Sequence, residues 1–265
     1  MLPFIIAGFI VGAVVVAVLA ALGRKKSSGH RESLDLDKGF EELGKLTGAL
    51  AHEIKNPLST IKINLKLIHE GLADRVAEGV GLTSEIRKIS VIEKEADRLE
   101  HILDDFLRYT DKTELQLADI DVNELVSDMV DFYCPQAHSN SITIRKGLSD
   151  ETLICRIDAD MLKQVLLNLF INARQAMKKG DELIIRTARQ NDCAQIEISD
   201  TGRGIAADKL DFIFEAYYSS RSQGSGLGLA TAKKIVTAHK GTITVDSEVG
   251  KGTCFKINLP LKVSV

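Results

Sequence analysis

Two long runs of apolar residues at helical spacing constrain this chain most. Leu43, Leu46, Leu50, Ile54, Leu58, Ile61, Leu65 and Ile68 recur in steps of three and four, which draws one apolar stripe along an α-helix. Ile89, Ile92, Ala96, Leu99, Leu103 and Phe106 repeat the rhythm. The spacing predicts a first helix from about Leu36 to Glu70 and a second reaching past Phe106, joined through Gly71 to Thr83. Two helices so joined form an antiparallel hairpin, and one hairpin cannot bury both stripes. Pairing two copies into a four-helix bundle does, so a homodimer is expected. A coiled-coil spacer without chemistry would show the same pattern.

The polar face of the first helix is more specific. His52 is two residues from both Leu50 and Ile54, about 200° round a helix that turns about 100° per residue. It therefore points away from the stripe. Asn56 shares its face one turn on, and Glu53 is its neighbour. Pro57 removes one backbone donor and crowds the carbonyl of Glu53, which predicts a bend one turn beyond the histidine. A lone His in such a place is ordinarily solvated. The stretch Ala51-His52-Glu53-Ile54-Lys55-Asn56-Pro57-Leu58, however, resembles the H-box of sensor histidine kinases, in which the His is phosphorylated. That resemblance requires an ATP site further along the chain.

Residues 2–22 carry no charge and are almost wholly apolar, long enough to span roughly 30 Å of hydrocarbon. Arg24, Lys25 and Lys26 follow at once. The positive-inside bias then sets the N-terminus outside and the remainder in the cytoplasm, so a single-pass anchor in the inner membrane is expected, with residues 23–36 as a juxtamembrane linker. A cleaved signal peptide is the rival reading, but the basic n-region is missing. No second apolar run follows, and the input signal is not legible. The formal net charge of −3 gives no electrostatic reason for a nucleic-acid partner, and none is expected. Cys134, Cys155, Cys193 and Cys254 form no C-x-x-C pair and read as core fillers in a reducing compartment.

From about Leu115 the pattern becomes a mixture of strands and helices. Ile120 to Phe132 reads as a helix. Ser141 to Arg145 and Thr152 to Ile157 read as strands, and a helix capped by Asp158 or Asp160 runs to Lys179. Strands at Leu183–Ala188, Ala194–Ser199, Thr242–Ser247 and Thr253–Leu259 follow, with a helix over Leu227–His239. The regular alternation of a doubly wound sheet is missing, which favours an α+β sandwich.

Four segments of this region carry chemistry. In the first, Gln164, Asn168, Asn172 and Gln175 form a polar stripe opposite Leu162, Leu166, Leu169 and Ala173. Its N-L-F-I-N-A-R-Q-A run resembles the N-box of the kinase ATPase domain. By that resemblance Asn172 ligates Mg²⁺ through its amide oxygen, as suits a hard cation, Asn168 approaches the phosphates and Gln175 adjoins them. Many members carry Lys or Arg where this chain has Gln175.

Asp200-Thr201-Gly202-Arg203-Gly204 resembles the G1 box. The Asp there accepts from the adenine amino group, and Gly202 and Gly204 let backbone pass close to the base. Phe212-Ile213-Phe214-Glu215-Ala216-Tyr217-Tyr218-Ser219-Ser220-Arg221 resembles the F-box at the base of an ATP lid. Phe214 belongs to it, and the Arg221 fork is assigned to the γ-phosphate. Gly224-Ser225-Gly226-Leu227-Gly228 opens a helix and resembles the glycine box whose N–H groups cradle phosphate. Gly252-Thr253-Cys254-Phe255 resembles the family's closing G-T-x-F.

Five motifs in one order identify the chain as similar to membrane-anchored sensor histidine kinases, most of all the nitrogen-regulation type. The resemblance implies a phosphotransfer hairpin over residues 37–112 forming the dimeric bundle, and a Bergerat-type α/β-sandwich ATP-binding domain over 115–265. It implies ATP and Mg²⁺ as cofactors, autophosphorylation of His52 with Glu53 handling the ring proton, and transfer to an Asp of a separate cytoplasmic response regulator. Glu53-Ile54-Lys55-Asn56 resembles the E-x-x-N pattern linked to regulator dephosphorylation, a role assigned to Asn56. Two other classes stay open: a conformational ATPase of the same fold, and a kinase-dead membrane scaffold.

Overall fold

Both apolar stripes are helical where the structure, a computed structural model, describes them. It describes residue 50 and residues 54–68, 83–110, 115–219 and 226–262. Helix α1 covers 54–68 and α2 covers Thr83–Thr110. On α1, Ser59 Oγ donates to Lys55 O at 2.8 Å and Asn64 Nδ2 to Thr60 O at 2.9 Å, each one turn back. Lys88 Nζ of α2 donates to Leu67 O of α1 at 3.1 Å. Ile102 and Phe106 are buried, yet Leu58, Ile63, Leu65, Leu67, Ile89, Leu103 and Leu107 stay 41–59% exposed. A single chain thus leaves much of its helical apolar surface in water, as the stripes require.

The expected anchor over 2–22, the linker over 23–36, the hairpin connection and the bend before Pro57 lie outside the described residues. Among the described residues, no helix is long and apolar enough to cross a membrane.

Beyond the hairpin the order is β1 (Ala118–Asp121), α3 (Val122–Ser139), β2 (Thr143–Gly147), β3 (Ile154–Ile157) and α4 (Ala159–Ala176). Then come β4 (Glu182–Gln190), β5 (Cys193–Asp200), the short α5 (Ala207–Leu210), α6 (Gly228–Ala238), β6 (Thr242–Glu248) and β7 (Gly252–Pro260). Five strands form one sheet in the order β2-β4-β5-β7-β6, with only β2–β4 parallel, and β1 pairs antiparallel with β3 beside it. Strand β5 alternates, burying Ala194, Ile196 and Ile198 while Gln195, Glu197 and Ser199 face the other way. The period of two is that of a sheet covered on one side. Leu162, Leu166, Leu169 and Phe170 of α4, with Val126 and Tyr133 of α3 and Ile235 of α6, pack onto that side. Each such side chain contributes about 1.5–3 kcal/mol on burial. The result is an α/β sandwich.

Three boundaries differ from expectation. Helix α3 continues through Pro135 to Ser139 instead of stopping at Phe132. Proline removes one helical hydrogen bond, but Tyr133 and Ala137 on either side of it are buried in the core, and that packing carries the helix on. Residues 118–121 form an unexpected strand whose last residue, Asp121, caps α3: its carboxylate accepts from Asn123 N at 2.9 Å. Helix α4 ends at Ala176, short of Lys179.

Asp158, not Asp160, caps α4. Its Oδ1 accepts from Asp160 N and Met161 N at 3.1 Å, and its Oδ2 from Gln116 N at 2.8 Å. Burial alone would raise this carboxyl, but the N–H donors of Gln116, Met161 and Asp160 hold it below the usual range. Its own N–H donates to His239 Nε2 at 2.9 Å, while His239 Nδ1 lies 2.8 Å from Ile235 O. Donation at Nδ1 and acceptance at Nε2 define a neutral imidazole, which locks the start of α4 to the end of α6. Of the four thiols only Cys155 is buried, and burial raises it to about 11. The other three are partly exposed rather than core residues.

Candidate functional site

Asp200 ends β5, paired with Leu183 on one side and Thr253 on the other. It is 7% exposed, and its Oδ1 accepts from Gly202 N at 2.9 Å. The turn that follows needs its glycines. A Cβ on Gly202 would stand 2.6 Å from Ala176 O, and one on Gly204, at φ +70°, 2.1 Å from Glu248 O. Gly252, at φ +107°, crosses the Asp200 backbone so closely that a Cβ would meet Asp200 O at 1.8 Å. The buried Thr253 contacts Ser247 Oγ through its hydroxyl at 3.0 Å. Ser247 in turn donates to Gly252 O and accepts from Ile205 N, both at 2.8 Å. This hydroxyl pair joins the Asp200 turn to the last hairpin, and the sequence reading missed Ser247.

The polar stripe of α4 faces the same space. Asn168, Asn172, Gln175 and Asp200 line a cavity of about 750 Å³, closed by Gly204, Ile205, Ile213, Ser219, Gly226, Gly228 and Thr253. That volume lies within the usual size of a small-molecule site, roughly 300–1,000 Å³. Its apolar walls include Ile171, Leu229, Val249 and Phe255, of which Val249 lies in no motif read from the sequence. They suit the flat, weakly polar body of a base.

Several predicted residues have other surroundings. Asn168 lines the cavity, but its Nδ2 donates to Gly228 O at 3.1 Å, which fixes the first turn of α6. Leu227 is fully buried, and Phe214 packs edge-on against Phe255 at 6.3 Å with Lys233 Nζ 5.4 Å from its ring centroid. Leu227, Phe214 and Gly202 shape the site without lining it. Gly226, at φ +69°, accepts from Tyr217 N at 3.1 Å. His52, Glu53, Arg221, Gly224 and Ser225 lie outside the described residues. Asn56 is exposed on α1.

A sandwich whose helical face carries an amide stripe, an acid at a strand end and a glycine-opened helix defines a nucleotide-binding ATPase domain joined to a helical hairpin. Comparison with known proteins agrees. Residues 157–263 match the family described as histidine kinase-, DNA gyrase B- and HSP90-like ATPase, and residues 42–115 match the His Kinase A (phospho-acceptor) domain. The chain belongs to the sensor histidine kinases.

Among its relatives, Sensor histidine kinase ZraS of Escherichia coli (strain K12) is 38% identical over 223 residues, 84% of this chain and 46% of that protein. The chain thus spans about half the length of that curated relative. A solved structure of full-length ShkA in complex with AMPPNP is 27% identical, with a TM-score of 0.59 over 77% of this chain and 46% of that one. The fold also matches histidine kinase ThkA in complex with response regulator protein TrrA, at a TM-score of 0.69 and 24% identity over 88% of this chain and 66% of that one.

Proposed function

We propose that the chain is an ATP-dependent protein-histidine kinase that phosphorylates His52 and passes the phosphoryl group to an aspartate of a separate response regulator. The observation that carries this reading is the joint lining of one cavity by Asn168, Asn172, Asp200, Gly228 and Thr253, on a chain that also holds the phospho-acceptor domain. Asp200 selects a base bearing an exocyclic amine, since a carboxylate only accepts. The backbone opening α6 faces the phosphates. Asn172 offers an amide oxygen to Mg²⁺, which supplies charge neutralisation on the triphosphate. Among the described residues no group of three or more His, Cys, Asp or Glu could hold a metal. That fits a hard cation held mainly by phosphate and water. His52 attacks as the neutral imidazole, the main form of an ordinary unperturbed histidine at neutral pH, and Glu53 takes the ring proton.

The exposed apolar side chains of α1 and α2 support a homodimeric four-helix bundle. The uncharged run over 2–22 supports a single-pass inner-membrane anchor with the catalytic part in the cytoplasm. Incubation with γ-labelled ATP tests the reading. An acid-labile, alkali-stable protein label marks a kinase, free phosphate alone a conformational ATPase, and neither a scaffold. Residues 24–265 should sediment as a dimer at micromolar concentration, and a monomer would contradict the bundle.

Asn56 supports a second activity. It is exposed on α1, one turn from His52, and its amide both donates and accepts, which suits it to orient a water at a regulator's acyl phosphate. Asn56→Ala should slow regulator dephosphorylation about 10²-fold, the scale of a lost positioning group, with self-labelling near normal. Equal loss of both activities, with a lower melting temperature, would make Asn56 structural instead.

A further inference from the structure

The cavity has a wall that belongs to neither the sheet nor its helices. His101 and Asp105 of α2 line it together with Asn168, Asn172 and Gly228. With Tyr109 they fall at spacing four, on one face of α2. Tyr109 continues the contact: its carbonyl accepts from Lys234 Nζ at 2.5 Å, and the same ammonium lies 5.4 Å from its ring centroid. That carbonyl belongs to the last turn of α2, where the helix dipole favours a cation. Lys234 sits on α6 six residues beyond Gly228, about 9 Å along the helix. One helix thus carries the phosphate end of the cavity at its start and a latch on α2 further down. Among the described residues, the cavity's lysine and arginine side chains are Arg203, on the loop after Asp200, and Lys209, on α5. The carboxylate on the α2 wall is Asp105, and its neighbour Asp104 is exposed and lines no part of the cavity.

We propose that the Asp105 wall discriminates between nucleotides. In the latched arrangement its carboxylate opposes the charge that a terminal phosphate adds, so the site favours a nucleoside diphosphate over the triphosphate. Coupling between sites is reciprocal: if the latch disfavours the triphosphate, binding the triphosphate releases the latch and frees the ATPase domain from α2. The inference rests on the nucleotide-site reading above and adds a function for α2 that the hairpin's phospho-acceptor role does not include.

The test is calorimetric titration of the full chain in detergent with ADP and with AMPPNP, both with Mg²⁺. Asp105→Asn should tighten AMPPNP about tenfold, a usual size for coupling between sites, and leave ADP nearly unchanged. Asp104→Asn should change neither. Lys234→Met, which cuts the latch without altering the cavity's charge, should also favour AMPPNP over ADP. Weaker AMPPNP binding in Asp105→Asn would make the carboxylate a ligand of the metal and overturn the proposal. Equal shifts for the two nucleotides, or none, would overturn it as well. A wild-type chain that binds neither nucleotide would instead bring down the site reading itself.

Discussion

His52→Gln should reduce the acid-labile label to background while the affinity for nucleotide stays that of the wild type. The two halves of this expectation come from different parts of the chain. Among the described residues, those lining the cavity lie on α2 or in the ATPase domain and none on α1, so removing an imidazole from the α1 side should leave the nucleotide's contacts intact. The label requires a nitrogen lone pair, and glutamine offers an amide whose lone pair is delocalised. Phosphoryl transfer depends on positioning a nucleophile in line with the leaving group, and no neighbouring residue can replace it: the Glu53 carboxylate could form only an alkali-labile acyl phosphate, and Asn56 is an amide. A rapid filter assay for label, beside an equilibrium titration with a fluorescent nucleotide, separates the two halves. Label retained in His52→Gln would sink the assignment of the nucleophile, whatever the titration gave.

The second large effect is expected at Gly252. Alanine there faces two separate penalties. Its φ of +107° lies in a region that L side chains rarely adopt, a strain of about 1–3 kcal/mol. Its Cβ would also stand 1.8 Å from Asp200 O, and relief of that clash must move the β5 backbone or the hairpin, typically another 1–3 kcal/mol. Both strands carry site residues, Asp200 on one and Thr253 on the other, paired directly. Gly252→Ala should therefore lower the melting temperature by about 10 °C for a domain of this size and abolish nucleotide binding. Gly250→Ala isolates the first penalty, because Gly250 has φ +82° with nothing within 4 Å of an added Cβ. It should destabilise by roughly 1 kcal/mol and leave binding intact. If the two substitutions behave alike in calorimetry and titration, the close approach to Asp200 is not what Gly252 is for.

Much of this architecture was legible because its signals are periodic or local. The apolar steps of three and four gave both hairpin helices, and alternation gave the strands β2 to β7. The positions where sequence reasoning stopped short are those where distant packing decides. The local pattern ended α3 at Phe132, but the burial of Tyr133 and Ala137 continues it through Pro135. Strand β1 is four residues long and only half-buried, too short for alternation to stand out. In the site, the residue types that bear chemistry were readable from motifs, whereas their partners were not. Asn168 reads as a phosphate contact from its motif, whereas the bond from its amide to Gly228 O is seen only in the fold. Ser247 carries no motif and is found only from the register that sets it opposite Thr253. His101 and Asp105 were invisible as site residues, because nothing in a heptad pattern says which polar positions will meet another domain.

The bond from Tyr217 N to Gly226 O has a consequence for how such proteins diversify. A Cβ on Gly226 would lie 2.5 Å from the Tyr217 carbonyl carbon, so the chain enters and leaves the intervening segment at a single pinned neck. Once two ends are held together, the entropy of the span between them rises only with the logarithm of its length, about 0.6 kcal/mol for each doubling. Insertions between Ser219 and Gly226 should cost little folding free energy while the neck keeps the sheet and α6 in register. Natural variation in this family, and libraries built to retune it, should therefore tolerate insertions there and resist them one residue outside.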